Sequence, residues 1–565
     1  MHLGIDFGTS YTKLGFIADG KFINLAGADG QIPTVVTYLP AQEKLFFGPL
    51  ALRLNEPGAV QLRFFKLELR RNPGFRLGPY FLKDIVRSFF VYLHEQYVPK
   101  NEKIDTVTVS VPNYFGLKAR KMLREAIEFS FGVTDVYLIP EPVAALLGYN
   151  MDKPVGRLDG DILCIDLGGG TTDFSFVSLS RSRKEVVMES QFQIGHDAFS
   201  GSELDRVVLR SLLNPLFTMQ HGYQLPASII SEKNLQGREL YWFNRLIATA
   251  EKIKIEMGKQ ETRYFNIPGF YEQDSLVFYL TAEVFCAQLA PAYRRLEHFI
   301  EEHVKQRAGY LGLYHKGKFM LDFILLLGGA SQTRGVRKLI ADLFPDTEII
   351  CPQDLSFNVV KGLAQWGEKD LSQVISVKSI YPFNFYLERW DQTQGNTVLD
   401  KIPFDTDNLQ LDIKRSYKIF TIPLPSHYNL ANDAERLQLR VYELAQGDPG
   451  IEVDHFLGQD LVLNVNEPLI NSDKVELYLN LNNSCIEIEG VNNSCEAPCE
   501  VDFTSLFSHL DTPLEYLKLY PGSNPQLIKD YEQSLKHFYL STNRGQNYPE
   551  LLSYKLLAFL QLLKR

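Results

Sequence analysis

Long apolar runs are missing from this chain. Its longest, Phe323 to Leu327 for instance, fall far short of the roughly 20 residues a membrane-spanning helix needs. Cysteine is scarce, with six among 565 residues, too few for a disulfide framework, so a reducing, cytoplasmic setting is expected. Positive charge is not in excess. Against 68 acidic side chains stand 58 basic ones, a formal charge of −10, which gives no global electrostatic reason to seek nucleic acid or an anionic membrane, and neither is expected as a partner. No basic segment and apolar stretch precede Met1-His2-Leu3-Gly4-Ile5-Asp6, so no signal peptide is expected. Cys485, Cys495 and Cys499 cluster, with His509 as a conceivable fourth ligand. Paired knuckles of structural zinc are absent there, and loop cysteines are the expectation.

What is present is ordinary for a globular protein: 45% hydrophobic and 22% charged residues, over a length that suggests three or four domains. The first part alternates apolar strand-like runs (Thr106 to Val111, Ile162 to Ile165, Phe323 to Leu327) with helix-like ones (Leu117 to Phe129, Phe243 to Met257, Val336 to Phe344). That alternation predicts an α/β domain whose strands are buried on both faces. After about Gly367 the helical periodicity fades. Tyr417 to Ile422, Leu437 to Tyr442, Leu461 to Val465 and Val475 to Leu481 read as strands separated by turn formers, the pattern of an antiparallel sandwich. From Leu506 to Arg565 helix-like spacing returns, cut by Pro513, Pro521, Pro525 and Pro549, which predicts a few short helices.

One internal echo carries chemistry. Leu3-Gly4-Ile5-Asp6-Phe7-Gly8-Thr9-Ser10 is matched by Leu163-Cys164-Ile165-Asp166-Leu167-Gly168-Gly169-Gly170-Thr171-Thr172: an apolar strand ending in Asp, a glycine turn, then hydroxyl residues. Backbone N–H groups at such a turn, with the hydroxyls of Thr9 and Ser10, can cradle phosphate oxygens, and Asp6 is placed to hold a hydrated Mg²⁺. Singly, Asp-x-Gly-Thr reads as a plain turn. The second copy, with three successive glycines and Asp173 after the hydroxyl pair, favours one phosphate-gripping hairpin used twice. A third element, Phe323 to Leu327 followed by Gly328-Gly329-Ala330-Ser331 and a helix near Val336, suits a nucleoside or phosphate shelf.

In this order the three elements resemble the actin/hexokinase-type nucleotide-binding fold and, within it, the heat shock 70 kDa (DnaK-type) chaperone family. Val109-Ser110-Val111-Pro112, Leu138-Ile139-Pro140-Glu141-Pro142-Val143-Ala144-Ala145, Phe199-Ser200-Gly201-Ser202-Glu203-Leu204-Asp205 and Ala250-Glu251-Lys252-Ile253-Lys254 are similar to that family's segments, and the matches cover roughly residues 1–367. The resemblance implies a duplicated actin-like (ribonuclease H-like) ATPase domain over 1–367 and a linker at 368–380. An antiparallel β-sandwich peptide-binding domain at 381–503 and a short helical segment at 504–565 would follow.

It also implies ATP/ADP and Mg²⁺ as ligands, with K⁺ as a candidate further ion. Asp6, Asp166 and Asp173 would surround Mg²⁺, mainly through water. Gly8, Thr9, Ser10, Tyr11, Gly168, Gly169, Gly170 and Thr172 would lie at the phosphates, with Thr171 near the γ-phosphate, and Glu141 would help position the attacking water. Lys66, in Phe64-Phe65-Lys66-Leu67, matches the catalytic lysine; without the resemblance it reads as a surface lysine. Gly201, Glu251, Lys254, Gly328, Gly329, Ala330 and Gln332 would hold the nucleoside, with Gln332 where the family places an adenine-stacking arginine and Arg334 as a nearby substitute. Pro112 and Arg120 match an interdomain relay, with a turn proline and a solvated arginine as the plainer readings. Ile419, Phe420 and Leu437 are candidates for a peptide pocket or simply core. The partners implied are unfolded or extended polypeptides, a J-domain co-chaperone and a nucleotide exchange factor. Two departures stand out: a linker, Asp370 to Val377, more polar than the family's, and a tail shorter than its lid. Rival readings on the same fold are a small-metabolite kinase, an actin-like filament protein and a switch that barely hydrolyses ATP.

Overall fold

The computed structural model describes residues 1–366, apart from 27–29, 55, 57, 73, 113–114, 152–158, 182–185, 197–198, 233–236, 353 and 356. Beyond these it describes the backbone of strands between Ile375 and Asp502. The chain divides into two compact units. One holds residues up to Ile380 except two short segments, and the other holds Tyr381 onward with those segments, Arg70–Phe75 and Phe115–Lys121.

The first unit is α/β with two mixed sheets of one plan. In the first sheet, Asp135–Pro140, Thr106–Val111 and His2–Phe7 run parallel, and Tyr11–Ala18 and Lys21–Asn24 continue it antiparallel. In the second, Glu348–Ile350, Phe323–Leu327 and Gly160–Leu167 run parallel, followed antiparallel by Thr172–Arg181 and Val186–His196, with Ile375–Ser379 alongside. Counting strands along each half, both sheets read fifth, fourth, first, second, third. The repeated Asp–Gly motif is therefore the first hairpin of each half, as the internal echo suggested. The parallel strands are buried, with Leu3, Ile5, Val107, Val109, Leu163, Ile165, Leu325 and Leu326 fully enclosed, because helices such as Leu117–Phe131 and Val336–Leu343 cross between them.

Two equivalent helices, Glu141–Met151 and Asn358–Trp366, join the halves. A Cβ on Gly148 would lie 1.9 Å from the Asn358 carbonyl oxygen, and one on Gly362 would lie 1.9 Å from that of Ala144. Only glycine lets the two backbones approach so closely. Asn358 Nδ2 donates to the Ala145 carbonyl at 2.7 Å across this seam, and Val143, Leu146, Leu363 and Trp366 fill its flanks.

Sequence periodicity did not reveal the hairpin Thr262–Tyr271 with Asp274–Thr281, or the π-helical turns Val208–Leu213 and Ile300–Val304. In the second unit the strands form an antiparallel five-stranded sheet and an antiparallel three-stranded one. Ile419 and Phe420 lie on Arg415–Pro423 of the smaller sheet, and Leu437 lies on Arg436–Ala445 of the larger; their side chains are outside the described residues. So are the Cys485 side chain, Cys495, Cys499, His509, linker residues 367–374 and the tail from 503.

Substituting Gly148 by Ala places a methyl group against an immovable carbonyl. The expected loss is about 3 kcal/mol of unfolding free energy, measured by denaturant titration, and a loss below about 0.5 kcal/mol contradicts the close crossing.

Candidate nucleotide site

The two glycine turns touch. A Cβ on Gly169 would sit 2.0 Å from Ser10 Oγ, and one on Gly170 would sit 2.5 Å from Thr9 Cγ2, so any side chain at either position would push the halves apart. Each turn is closed by its own backbone bond, Gly8 N–H to the Asp6 carbonyl at 3.0 Å and Gly168 N–H to the Thr171 carbonyl at 2.9 Å. The second turn is also held from behind: Gly201 and Ser202 N–H donate to the carbonyls of Gly168 and Gly169, each at 2.8 Å, and Lys254 Nζ donates to the Gly201 carbonyl at 2.8 Å. Thr172 Oγ1 donates to the Phe199 carbonyl. Gly328 backs onto Asp166, with a would-be Cβ 2.3 Å from Oδ1. Gly8, Thr9, Ser10, Gly168–Gly170, Thr172, Gly201, Lys254 and Gly328 therefore share one locality.

Four carboxyl groups gather beside these turns. Asp6 accepts from Ser110 Oγ at 3.0 Å and from Lys13 Nζ at 2.8 Å. Asp166 stands directly opposite Asp173 in the second hairpin, and Thr171 Oγ1 donates to Asp173 Oδ2 at 2.9 Å. Glu141, in the first turn of its helix, accepts from Lys66 at 2.8 Å. A small cleft lined by Pro112, Glu141, Pro142, Asp166, Asp173 and Leu327 opens beside three of them. Burial pushes the Asp166 carboxyl well above its ordinary range, and the charges of Glu141, Asp173 and Asp6 push it further, with Lys13 opposing. A divalent cation would relieve that accumulation, so the donor set fits one. Among the described residues no three acidic, His or Cys side chains converge closely enough to chelate an ion directly.

Lys66 is not a surface lysine: it is 2% exposed. Phe64, at φ 63°, takes the left-handed conformation uncommon for a bulky residue and feeds the short turn Phe65–Leu67. That turn aims the ammonium at Glu141 and 5.6 Å above the Phe7 ring, over a floor of Phe7, Phe65, Phe89 and Phe90. Pairing is what permits a buried charge here.

A second cleft is lined by Ser10, Tyr11, Thr34, Arg63, Asp205 and Glu251 among others. Tyr11 donates to Glu251 Oε1 at 3.4 Å, and burial, then Glu251, push its hydroxyl up to about 12. Asp205 is pushed up to about 6 by burial, against the pull of Lys254, whose Nζ lies 2.7 Å from Oδ1 at an angle poor for a hydrogen bond. Gly329, Ala330 and Gln332 form a tight turn, with the Gln332 carbonyl oxygen against Gly258 and its side chain exposed. Arg334 is engaged elsewhere, donating to the Met257 carbonyl at 2.9 Å and to Glu261 at 2.7 Å. Arg120 is buried rather than solvated, with Nε donating to the Phe115 carbonyl at 2.7 Å. Sequence reading missed Lys13, Ser110 and Arg63. For Lys13 a signal existed: it follows Asp6 by the same seven positions by which Asp173 follows Asp166.

Residues 90–349 match the family model described as Hsp70 protein. The chaperone protein DnaK of Carsonella ruddii (strain PV) is 25% identical over 425 residues, covering 71% of this chain and 66% of that one. DnaK of Thermus thermophilus is 27% identical over 376 residues, 60% and 56% of the two chains. The mitochondrial-type heat shock protein 70 of Encephalitozoon hellem is 23% identical over 385 residues, 61% and 60%. The chain thus spans somewhat under two thirds of the length of these relatives. An α/β unit with two equivalent hairpins around an acidic cleft is the class of protein the structure defines. With these matches, the chain is similar to the heat shock 70 kDa family, at low identity.

Because the folded protein raises the Asp166 pKa above the unfolded value near 3.8, this group's contribution to stability is full below that value and is lost as pH climbs through the folded one. In ligand-free protein, Asp166→Asn is expected to gain melting temperature relative to the parent as pH rises from about 4 to about 7. A difference that stays constant across that range would contradict the crowding of carboxylates.

Proposed function

We propose that this protein is an ATP-dependent chaperone of the heat shock 70 kDa type, coupling ATP binding and hydrolysis to the binding and release of extended polypeptide segments. The observation that carries the reading is the contact between the two glycine turns, with Asp6, Asp166, Asp173 and the Lys66–Glu141 pair around it. In this reading residues 1–367 form an actin-type ATPase domain, 368–380 a linker, 381–503 a peptide-binding β-sandwich and 504–565 a short helical segment. Its cytoplasmic setting, its J-domain and exchange-factor partners, and a role for K⁺ rest on the family likeness.

Mg²⁺ with ATP supplies, when bound, the shielded triphosphate on which the site acts. N–H groups and hydroxyls of Thr9, Ser10, Tyr11, Thr171 and Thr172 hold its oxygens, while Asp166 and Asp173 hold water of the hydrated ion. Glu141 accepts a hydrogen bond from the water that attacks in line. Lys66 fixes the Glu141 carboxylate and neutralises charge that builds in the transition state, at a site where little water screens it. Glu251, Lys254, Gly201, Gly328, Gly329, Ala330 and Gln332 form the nucleoside side. With Arg334 donating to Glu261 and to the Met257 carbonyl, it does not replace the base-stacking arginine that the family likeness implies. Pro112, which lines the acidic cleft, and Arg120, buried with its Nε on the Phe115 carbonyl, are the residues proposed to relay nucleotide state. Extended clients pair with a sheet edge in the second unit, with Ile419, Phe420 and Leu437 as the pocket residues.

Two measurements test this. ATP turnover should rise with an unfolded peptide, and ATP should release that peptide from the full chain; indifference of both overturns the chaperone reading. Lys66→Ala should slow single-turnover hydrolysis by about 100-fold or more while ATP affinity changes little, and an unchanged rate assigns the chemistry elsewhere.

A further inference from the structure

The duplicated hairpins differ at one pair of positions. In each, the aspartate closing the first strand faces the residue seven positions later on the second strand, in register: Asp6 opposite Lys13 and Asp166 opposite Asp173. Cross-strand partners share a sheet face, so Lys13 occupies in the first half the place that Asp173 occupies in the second. One hairpin presents two carboxylates and the other presents a carboxylate already neutralised by an ammonium.

Both oxygens of Asp6 are engaged, Oδ1 by the Ser110 hydroxyl at 3.0 Å and Oδ2 by Lys13 Nζ at 2.8 Å. The Lys13 and Asp6 side chains are only 15% and 10% exposed. An ammonium has three donors, and among the described residues Asp6 is the acceptor of one. Its charge opposes the upward push on Asp166, whose carboxyl lines the acidic cleft. A carboxylate so saturated as Asp6 is a poor holder of a hydrated cation, whereas Asp166 faces a second carboxylate, Asp173, across its strands.

We propose that the two hairpins divide the labour, Lys13 serving the polyphosphate anion as a second ammonium beside Lys66, and Asp166 with Asp173 serving the divalent cation. Resting on the nucleotide site argued above, the division makes Asp6 the positioning residue of Lys13 rather than a principal holder of the ion. Part of the affinity for a triphosphate then survives without metal, because a tethered ammonium attracts the anion by itself.

Binding, not turnover, tests this on the full chain. Inorganic triphosphate and ADP are titrated in chelator, and Mn²⁺ is titrated without nucleotide and followed by electron paramagnetic resonance. Lys13→Gln, which keeps a donor for Asp6, should weaken metal-free triphosphate binding about tenfold or more, and Lys13→Arg should restore it to within about threefold. Mn²⁺ affinity should be undiminished in Lys13→Gln and about tenfold lower in Asp173→Asn. The proposal is overturned if the parent shows no metal-free binding, if Lys13→Gln binds triphosphate as the parent does, or if Mn²⁺ is lost with Lys13→Gln rather than Asp173→Asn. Failure of the parent to bind Mg–ATP at all would instead remove the nucleotide site itself. Thermal melts of each variant confirm that the fold is retained.

Discussion

Contact between Gly169–Gly170 and Ser10–Thr9 is the constraint on which the site depends. Two sheets, each ending in a hairpin, can bring four carboxylates to one place only if their turns meet without side chains between them. The closeness has a cost. Asp166 is held against its own preference, enclosed and facing three other acids, and the ligand-free protein carries that tension. It is tolerable because two ammonium groups are built in, Lys66 on Glu141 and Lys13 on Asp6, each nearly out of solvent. A bound cation would relieve this crowding of carboxylates.

The elements behind the turns keep the contact in place. Helices Glu141–Met151 and Asn358–Trp366 cross at Gly148 and Gly362, tying the halves at the ends of their parallel strands. The first of these helices also carries Glu141, so the seam that joins the halves and the residue that faces Lys66 are one rigid element. On the other side Lys254, Gly201 and Asp205 lock the long helix Gly237–Lys259 to the second turn. That helix, which carries Glu251 beside Tyr11, is thus bonded to Gly168–Gly170 through Lys254 and the Gly201 and Ser202 N–H groups.

Much of the first unit was legible because the signals were local and repeated. Strands Thr106–Val111 and Phe323–Leu327 are continuous apolar runs, and the twin Asp–Gly motifs announced the duplication before any topology was known. Lys66 shows the limit. A lysine between phenylalanines carries no local mark of burial, and only the left-handed Phe64 and the distant Glu141 put it inside. Lys13 was hidden differently: its role lies in strand register, which pairs it with Asp6, and became visible once the second hairpin supplied the comparison. The strand Thr262–Tyr271 was missed because four of its ten residues face solvent and its alternation, interrupted by Pro268 and Gly269, gave no clean period.

Calorimetric titration of Mg–ATP into the full chain tests most directly whether both turns enclose a single ligand. One nucleotide should bind per chain, and Asp6→Asn and Asp166→Asn, from opposite halves, should each weaken that same event. Absence of heat, or a binding event that responds to only one of the two substitutions, would contradict a shared site.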